Sequence, residues 1–213
     1  MKLYSFWRSS TSYRTRIALG LKGLHADNIP VNIVTAEHRG SVYAKINPEM
    51  RMPTLIDGEH TLTQSLAIIE YLEEKYPEPP LLPLNIYERA RVRALALAVA
   101  CDISPLNNTS PLLYLSQKLG LTEEQKVEWM RHWISSGFEV LEQLLITSPY
   151  TGTFCHGATP GMADCCLVPQ LYNARRYHID LTDFPLITRI DAACAKLPAF
   201  IAAHPSNQPD AVK

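Results

Sequence analysis

The segment Tyr76-Pro77-Glu78-Pro79-Pro80-Leu81-Leu82-Pro83 places four prolines in eight residues. Proline lacks a backbone N–H and clashes with the preceding helical turn, so this stretch neither continues a helix nor sits in a central strand. It divides the 213-residue chain into a short N-terminal module, residues 1–80, and a longer C-terminal one, residues 87–213. The two halves carry different periodicities. Upstream, residues 3–6 read as a strand, and Ile17, Leu19, Leu21 and Leu24 mark a helix. Ile29, Val31 and Ile33 then alternate with polar residues as a second strand. Residues 52–58 give a strand running into an Asp57-Gly58 turn, and residues 61–63 a last strand. Ser65 stands where a helix N-cap belongs, ahead of Leu66, Ile68, Ile69 and Leu72. The order βαβ, an irregular stretch, then ββα predicts a small sheet flanked by helices.

Downstream of the prolines, strand signals vanish. The pattern predicts a long helix over 87–107, interrupted or kinked at Pro105, and a second from the capping box Thr122-Glu123-Glu124-Gln125 through Leu145. A third covers 161–176 with Pro169 inside it, a fourth 184–196, and a short one 198–203. The predicted class is α+β, a βαβ-ββα module followed by an all-α domain.

Lysine plus arginine number 20 and aspartate plus glutamate 21, a formal net charge of −1. A general nucleic-acid binder carries a clear positive excess, so nucleic acid is not an expected partner. Nine glycines against sixteen prolines, with no GxGxxG, GxxxxGKS or GxxxxGKT, argue against the common dinucleotide and nucleoside-triphosphate enzymes. Hydrophobic residues at 46% support a sizeable core. The cysteines Cys101, Cys155, Cys165, Cys166 and Cys194 are odd in number and form no C-x-x-C pair, which suggests neither a disulfide framework nor a zinc cage. The longest apolar run, residues 94–101, falls far short of the roughly 20 residues that span a bilayer, and the N-terminus has no signal-peptide core. A reduced, cytoplasmic protein with no membrane partner and no metal is expected.

Arg8-Ser9-Ser10-Thr11-Ser12-Tyr13-Arg14 follows the first strand and opens the first helix. Hydroxyls there cap free N–H groups, and the positive helix terminus favours an anion. A serine cap alone explains the hydroxyls; the cation Arg8 at the same corner points to an anionic ligand. A cis Pro53 would present the N–H and C=O of Met52 to an extended ligand, whereas a trans proline is an ordinary edge residue. Gln64-Ser65 at a helix start suits a carboxylate and equally serves as a cap. Asp102, Asn107, Asn108, Arg175 and Arg176 leave two readings open. An arginine pairs structurally with Asp102, or it grips a substrate carboxylate in a bidentate fork. Adjacent residues on a helix point about 100° apart, so Cys165 and Cys166 read as small core residues and not as a redox pair.

The runs Ser9 to Leu19, Asn47-Pro48, Met52-Pro53-Thr54-Leu55, Gln64 to Leu72 and Ala163 to Gln170 resemble the zeta class of cytosolic glutathione transferases, in register over essentially the whole chain. That class includes maleylacetoacetate and maleylpyruvate isomerases. The resemblance implies a thioredoxin-like N-terminal domain, an all-helical C-terminal domain, glutathione as cofactor, a homodimer, and a small dianionic substrate. The implied reaction is cis–trans isomerisation of maleylpyruvate or maleylacetoacetate in aromatic-compound catabolism. Ser9 then holds the glutathione sulfur, flanked by Ser10 and Thr11. Gln64 and Ser65 take the γ-glutamyl carboxylate, and Met52, before a cis Pro53, pairs its backbone with the glutathione cysteine. Arg8 and Arg176 hold substrate carboxylates, and Asn108 lies on the matching face of the first C-terminal helix.

Four positions depart from the class. Thr11 stands where maleylacetoacetate isomerases usually carry cysteine and some bacterial maleylpyruvate isomerases carry threonine, which leans the substrate towards maleylpyruvate. Ser104 replaces a larger glutamine or histidine. Glu49 replaces a frequent glutamine, and its charge is expected to weaken a contact to a ligand carboxylate. Gly161 replaces the Ser/Thr N-cap of a capping box ending at Asp164. Two alternatives stay open, a glutathione transferase acting on small α-haloacids and a non-catalytic binding protein of the same fold.

Overall fold

The computed structural model describes residues 1–212. The chain forms two compact units, residues 1–81 together with 195–212, and Leu82–Cys194. The expected helical domain over 87–213 therefore ends early, because residues 195–212 return to the first unit. The reason is local packing. Helix α9 (Pro198–Ala203) buries Phe200 and Ala203 and lies along α1 (Ser10–Leu21). Gly20 permits this approach, since a Cβ there would sit 3.0 Å from the Ala199 Cβ.

The first unit holds strands β1 (Lys2–Ser5), β2 (Asp27–Pro30), β3 (Thr54–Asp57) and β4 (His60–Thr63), in the order β2-β1-β3-β4. β1 runs parallel to β2 and antiparallel to β3, and β3 and β4 form a hairpin. That hairpin turns at Gly58, whose φ of 61° suits a residue without a Cβ. The predicted second strand stops at Pro30 and leaves Ile33 outside. The Asn32 carboxamide accepts from Val34 N and Thr35 N, an Asx turn that draws the backbone out of the ladder. The irregular stretch contains a short helix, α2 (Ser41–Ala44), with Tyr43 buried. Helix α3 (Ser65–Lys75) packs Ile68, Ile69 and Leu72 beside α1, where Ile17 and Ala18 join Leu55 of β3 in the core. A buried ion pair braces the exit from α3. The Lys22 ammonium meets Glu73 and donates to Tyr76 O at 2.8 Å, while Glu73 also accepts from Leu81 N at 2.8 Å.

In the second unit, α4 (Ile86–Leu97) starts at Asn85, whose side chain accepts from Tyr87 N and Glu88 N. The helix predicted over 87–107 is not uniform. It widens to π geometry over Ala98–Ile103 and tightens to 3₁₀ over Ser104–Asn107. Pro105 has no N–H to donate to a preceding turn, which accounts for the break. The widened turn lies on α6 (Glu123–Ile146), and Gly137 makes room, since a Cβ there would overlap the Ile103 side chain. Helix α5 (Thr109–Gln117) is not predicted from the sequence. Pro111 falls within its first turn, where backbone N–H groups have no helical partner. α6 has both hydrogen bonds of the Thr122–Gln125 capping box.

Helices α7 (Met162–Arg176) and α8 (Pro185–Cys194) complete the unit. Buried Asp164 accepts from Gly161 N at 2.8 Å and Cys155 N at 2.9 Å. Gly161 has no side chain to return the bond, so only half of a capping box exists there. Buried Glu142 of α6 caps α8 by accepting from Leu186 N and Ile187 N. Cys165 and Cys166 are fully buried free thiols in the core of this unit.

Candidate active site

The corner between β1 and α1 gathers most of the polar groups expected to bind a ligand. Ser9 is the N-cap of α1, with extended backbone, and its Oγ accepts from Ser12 N at 3.3 Å. Thr11 Oγ1 donates to Met52 O at 2.9 Å and lies 2.9 Å from Ser9 Oγ. A threonine hydroxyl has one proton, and a carbonyl can only accept. The Ser9 hydroxyl therefore donates to Thr11, and the chain of bonds runs Ser9 to Thr11 to Met52. The Met52–Pro53 peptide is cis, as expected, and lies just ahead of the ladder in which Thr54 pairs with Tyr4. Ser10 is the first residue of α1. Arg8, half-buried, stands immediately before the cap, with its guanidinium carbon 5.4 Å from the Trp7 ring.

Two residues that support this corner carry no local signal in the sequence. Arg16 is buried and donates to Ala203 O at 3.1 Å and to Trp7 O at 2.9 Å. Burial pulls its pKa down to about 10 against the attraction of Asp210. Asp210 itself accepts from Trp7 N at 2.9 Å. These partners lie 187 and 203 residues apart in sequence, and no local pattern joins them.

At the start of α3, Ser65 is the first helical residue and not the N-cap; that place belongs to Gln64. Gln64 takes φ 64° and ψ 116°, a region non-glycine residues rarely occupy, and its carbonyl accepts from Ile68 N at 3.0 Å. This conformation leaves the Gln64 side chain exposed, where it donates to Glu49 Oε2 at 2.7 Å. Glu49 Oε1 accepts from Thr63 Oγ1 at 3.1 Å.

In the helical unit the expected site residues are less constrained. Arg175 Nη2 forms a 2.6 Å ion pair with Asp191. The acid expected for that role, Asp102, is exposed instead. Arg176 next to it is exposed at the end of α7, 3.3 Å from Asn173 Oδ1 and with its guanidinium carbon 5.1 Å from the Tyr177 ring. Asn108 is not on the first C-terminal helix. It is the exposed N-cap of α5, and its side chain makes no capping bond. Ser104 is buried in the 3₁₀ turn.

Comparison with known proteins places this architecture. The glutathione S-transferase N-terminal domain matches residues 1–74, and the glutathione S-transferase C-terminal domain matches residues 134–203. The chain belongs to the glutathione S-transferase family, with a thioredoxin-like first unit and a helical second one. A maleylpyruvate isomerase from Ralstonia sp is 49% identical over 210 residues, covering 99% of each chain. The solved holo structure of a maleylpyruvate isomerase, described as a bacterial glutathione transferase in the zeta class, superposes with a TM-score of 0.98 at 48% identity and covers 100% of both chains. A maleylacetoacetate isomerase from Anaeromyxobacter dehalogenans 2CP-1, solved with bound GSH in the active site, gives a TM-score of 0.89 at 44% identity over 99% of this chain and 97% of that one. Within the family the chain is a member of the zeta class.

Proposed function

We propose that this chain is a glutathione-dependent cis–trans isomerase that converts a maleyl keto acid, maleylpyruvate or maleylacetoacetate, to its fumaryl isomer in aromatic-compound catabolism. The observation that carries this reading is the Ser9–Thr11–Met52 chain of hydrogen bonds at the start of α1, beside cis Pro53. Glutathione fits these groups. A serine hydroxyl at the N-terminal end of a twelve-residue helix suits a sulfur anion. A backbone strand end next to a cis proline suits a peptide, and the first turn of α3 suits a carboxylate. When bound, glutathione supplies a nucleophilic thiolate whose reversible addition frees the conjugated double bond to rotate.

The chain's own residues supply binding and electrostatics. Ser9 turns its proton from Thr11 towards the sulfur, and the start of α1, including Ser10, stabilises the negative charge there. Met52 offers its backbone to the glutathione cysteine, with Pro53 fixing the direction. Gln64 and Ser65 receive the γ-glutamyl carboxylate. We assign Arg8 and Arg176 each a substrate carboxylate, through the bidentate charge-assisted bonds that a guanidinium offers. Arg176 takes this role and Arg175 does not, because Arg175 is committed to Asp191. Asn108, uncommitted as a cap, adds an amide to the ligand from the start of α5. Thr11 and the maleylpyruvate isomerase relatives favour maleylpyruvate as the substrate.

The protein acts as a homodimer in the cytoplasm. Leu84, Ile86 and Tyr87, exposed by 95%, 82% and 84%, are apolar residues at and just before the start of α4 of the kind subunit interfaces cover. Five free thiols suit a reducing compartment. No helix among the described residues is long and apolar enough to cross a membrane. The test is the decay of the maleyl chromophore for both acids, with and without glutathione. Decay that requires glutathione supports the reading. No decay of either acid, alongside turnover of dichloroacetate or no turnover at all, overturns it.

A further inference from the structure

We propose that Asp210 is a positioning residue for Arg8, acting through the Trp7 backbone, so that the returning C-terminal segment sets how the chain meets a substrate carboxylate; this rests on the isomerase reading above. Arg8 lies in the turn that joins β1 to α1. Ser9 N donates to Phe6 O at 3.0 Å, which closes that turn with Trp7 and Arg8 at its centre. Trp7 lies outside both β1 and α1, and side chains take its two backbone groups. Its N–H donates to Asp210 Oδ2 at 2.9 Å, and its carbonyl accepts from Arg16 Nη2 at 2.9 Å. The peptide planes on both sides of Trp7 are thereby fixed, and the second of them carries Arg8. The side chain of Arg8 also leans on the held residue, with its guanidinium carbon 5.4 Å from the Trp7 ring.

The fold of the C-terminal segment brings Asp210 to this place. A helix leaves its last carbonyls without helical donors, and those of α9 are filled from outside it. Ile201 O accepts from Asn207 Nδ2 at 2.7 Å, Ala202 O from Gln208 Nε2 at 2.8 Å, and Ala203 O from Arg16 Nε at 3.1 Å. Gln208 Nε2 also donates to His204 O at 3.0 Å. The 3₁₀ turn Pro205–Asn207 thus folds back on α9 and directs the chain to the β1–α1 corner. Arg16 bonds both the end of α9 and the Trp7 carbonyl, so the tail and the turn share one clamp. Asp210 itself is half-buried, and its Oδ1 is buried with no hydrogen-bond partner among the described residues. A carboxylate oxygen in that state is costly, and attraction to Arg16 offsets part of the cost. An acid kept there at a cost, against the residue that precedes Arg8, points to the site and not to general packing.

The test is a double-mutant cycle on isomerisation of maleylpyruvate and maleylacetoacetate by the full chain with glutathione, using Arg8→Ala, Asp210→Ala and the double variant. With Arg8 present, Asp210→Ala should lower kcat/KM about three- to tenfold, the scale of a contact displaced but not removed. In the Arg8→Ala background it should change kcat/KM by less than about twofold, because the group it positions is gone. Asp210→Asn keeps an acceptor for Trp7 N and should restore most of the activity. Calorimetric affinity for S-methylglutathione should be the same in wild type and Asp210→Ala, since Ser9 is held by α1 and Thr11. Equal losses in both backgrounds, or weaker binding of S-methylglutathione in Asp210→Ala, would show that Asp210 only stabilises the corner, and would overturn the inference. If Asp210→Ala does not fold, the cycle is run with Asp210→Glu, which displaces the acceptor by a methylene. Equal losses then overturn the inference, and a loss confined to the protein with Arg8 supports it. Failure of the wild type to isomerise either acid would overturn the isomerase reading, and this inference with it.

Discussion

The β1–α1 corner and the C-terminal end of α7 both carry arginines and hydroxyl or amide groups suited to an anionic ligand, but they hold them differently. At the corner, the hydroxyls and carbonyls are fixed by short chains of bonds. Ser9 donates to Thr11, Thr11 donates to the Met52 carbonyl, and Arg16 clamps the carbonyl of Trp7. At the end of α7, Arg175 is fixed by Asp191, while Arg176 stays on the surface with a long contact to Asn173. The first region suits a ligand that is the same in every turnover. The second suits a substrate that must enter and leave. Two adjacent arginines with the same chemistry are thereby separated into a structural one and one available to a ligand.

The largest effect is expected at the corner. Ser9→Ala should lower kcat/KM for the isomerisation by about 10²–10³, the cost of removing a preorganised donor from developing charge. A smaller loss would make the corner no more determined than the α7 end. Next is the structural side of the helical unit. Asp164→Ala leaves the N–H groups of buried Cys155 and half-buried Gly161 without their partner, the buried one costing about 1–3 kcal/mol and the other less. Chemical denaturation should report a fall in stability of that order, and Asp164→Asn a smaller one.

The arginine pair tests the contrast within two residues. Arg176→Ala should lower kcat/KM by about 10- to 100-fold, the range of one charge-assisted bond to a carboxylate, with an unchanged melting temperature. Arg175→Ala should do the reverse. It should leave turnover near wild type and cost at most about 1 kcal/mol, because this ion pair is half-exposed. Equal kinetic losses in the two variants would break the division. The smallest effect is one of pH. The Lys75 ammonium and the Tyr71 hydroxyl hold the Asp57 carboxyl below its usual value of 3.8. Its stabilising contribution is therefore present above about pH 4 and lost as pH falls through the lower folded value. Asp57→Asn should flatten that acid limb of the stability curve and leave neutral-pH turnover alone.

Legibility from sequence followed the range of the interactions. Ser9 as a cap, the Thr122–Gln125 capping box and the division into sheet and helices rest on contacts within a few residues or on a regular period. Serine is the better capping residue, so the sequence points to Ser65 as the cap of α3, whereas the chain reaches the helix through an unusual positive φ at Gln64. Asn108 caps α5 and does not lie on the first C-terminal helix, because the chain breaks at Pro105 and restarts at Thr109. The return of residues 195–212 to the first unit depends on Gly20 meeting Ala199 and on Arg16 reaching Ala203. The pairing of Arg175 with Asp191 in place of Asp102 was equally invisible, since both acids lie at distances that only the fold decides.

Ser9, Thr11 and Met52 form the corner proposed to hold the sulfur of glutathione as an anion. Thiolate absorbance of glutathione bound to the wild type and to Ser9→Ala, followed across pH, tests it most directly. The bound thiol should ionise at a lower pH than free glutathione in the wild type, and Ser9→Ala should move it back towards the free value. The same titration curve in both proteins would contradict it.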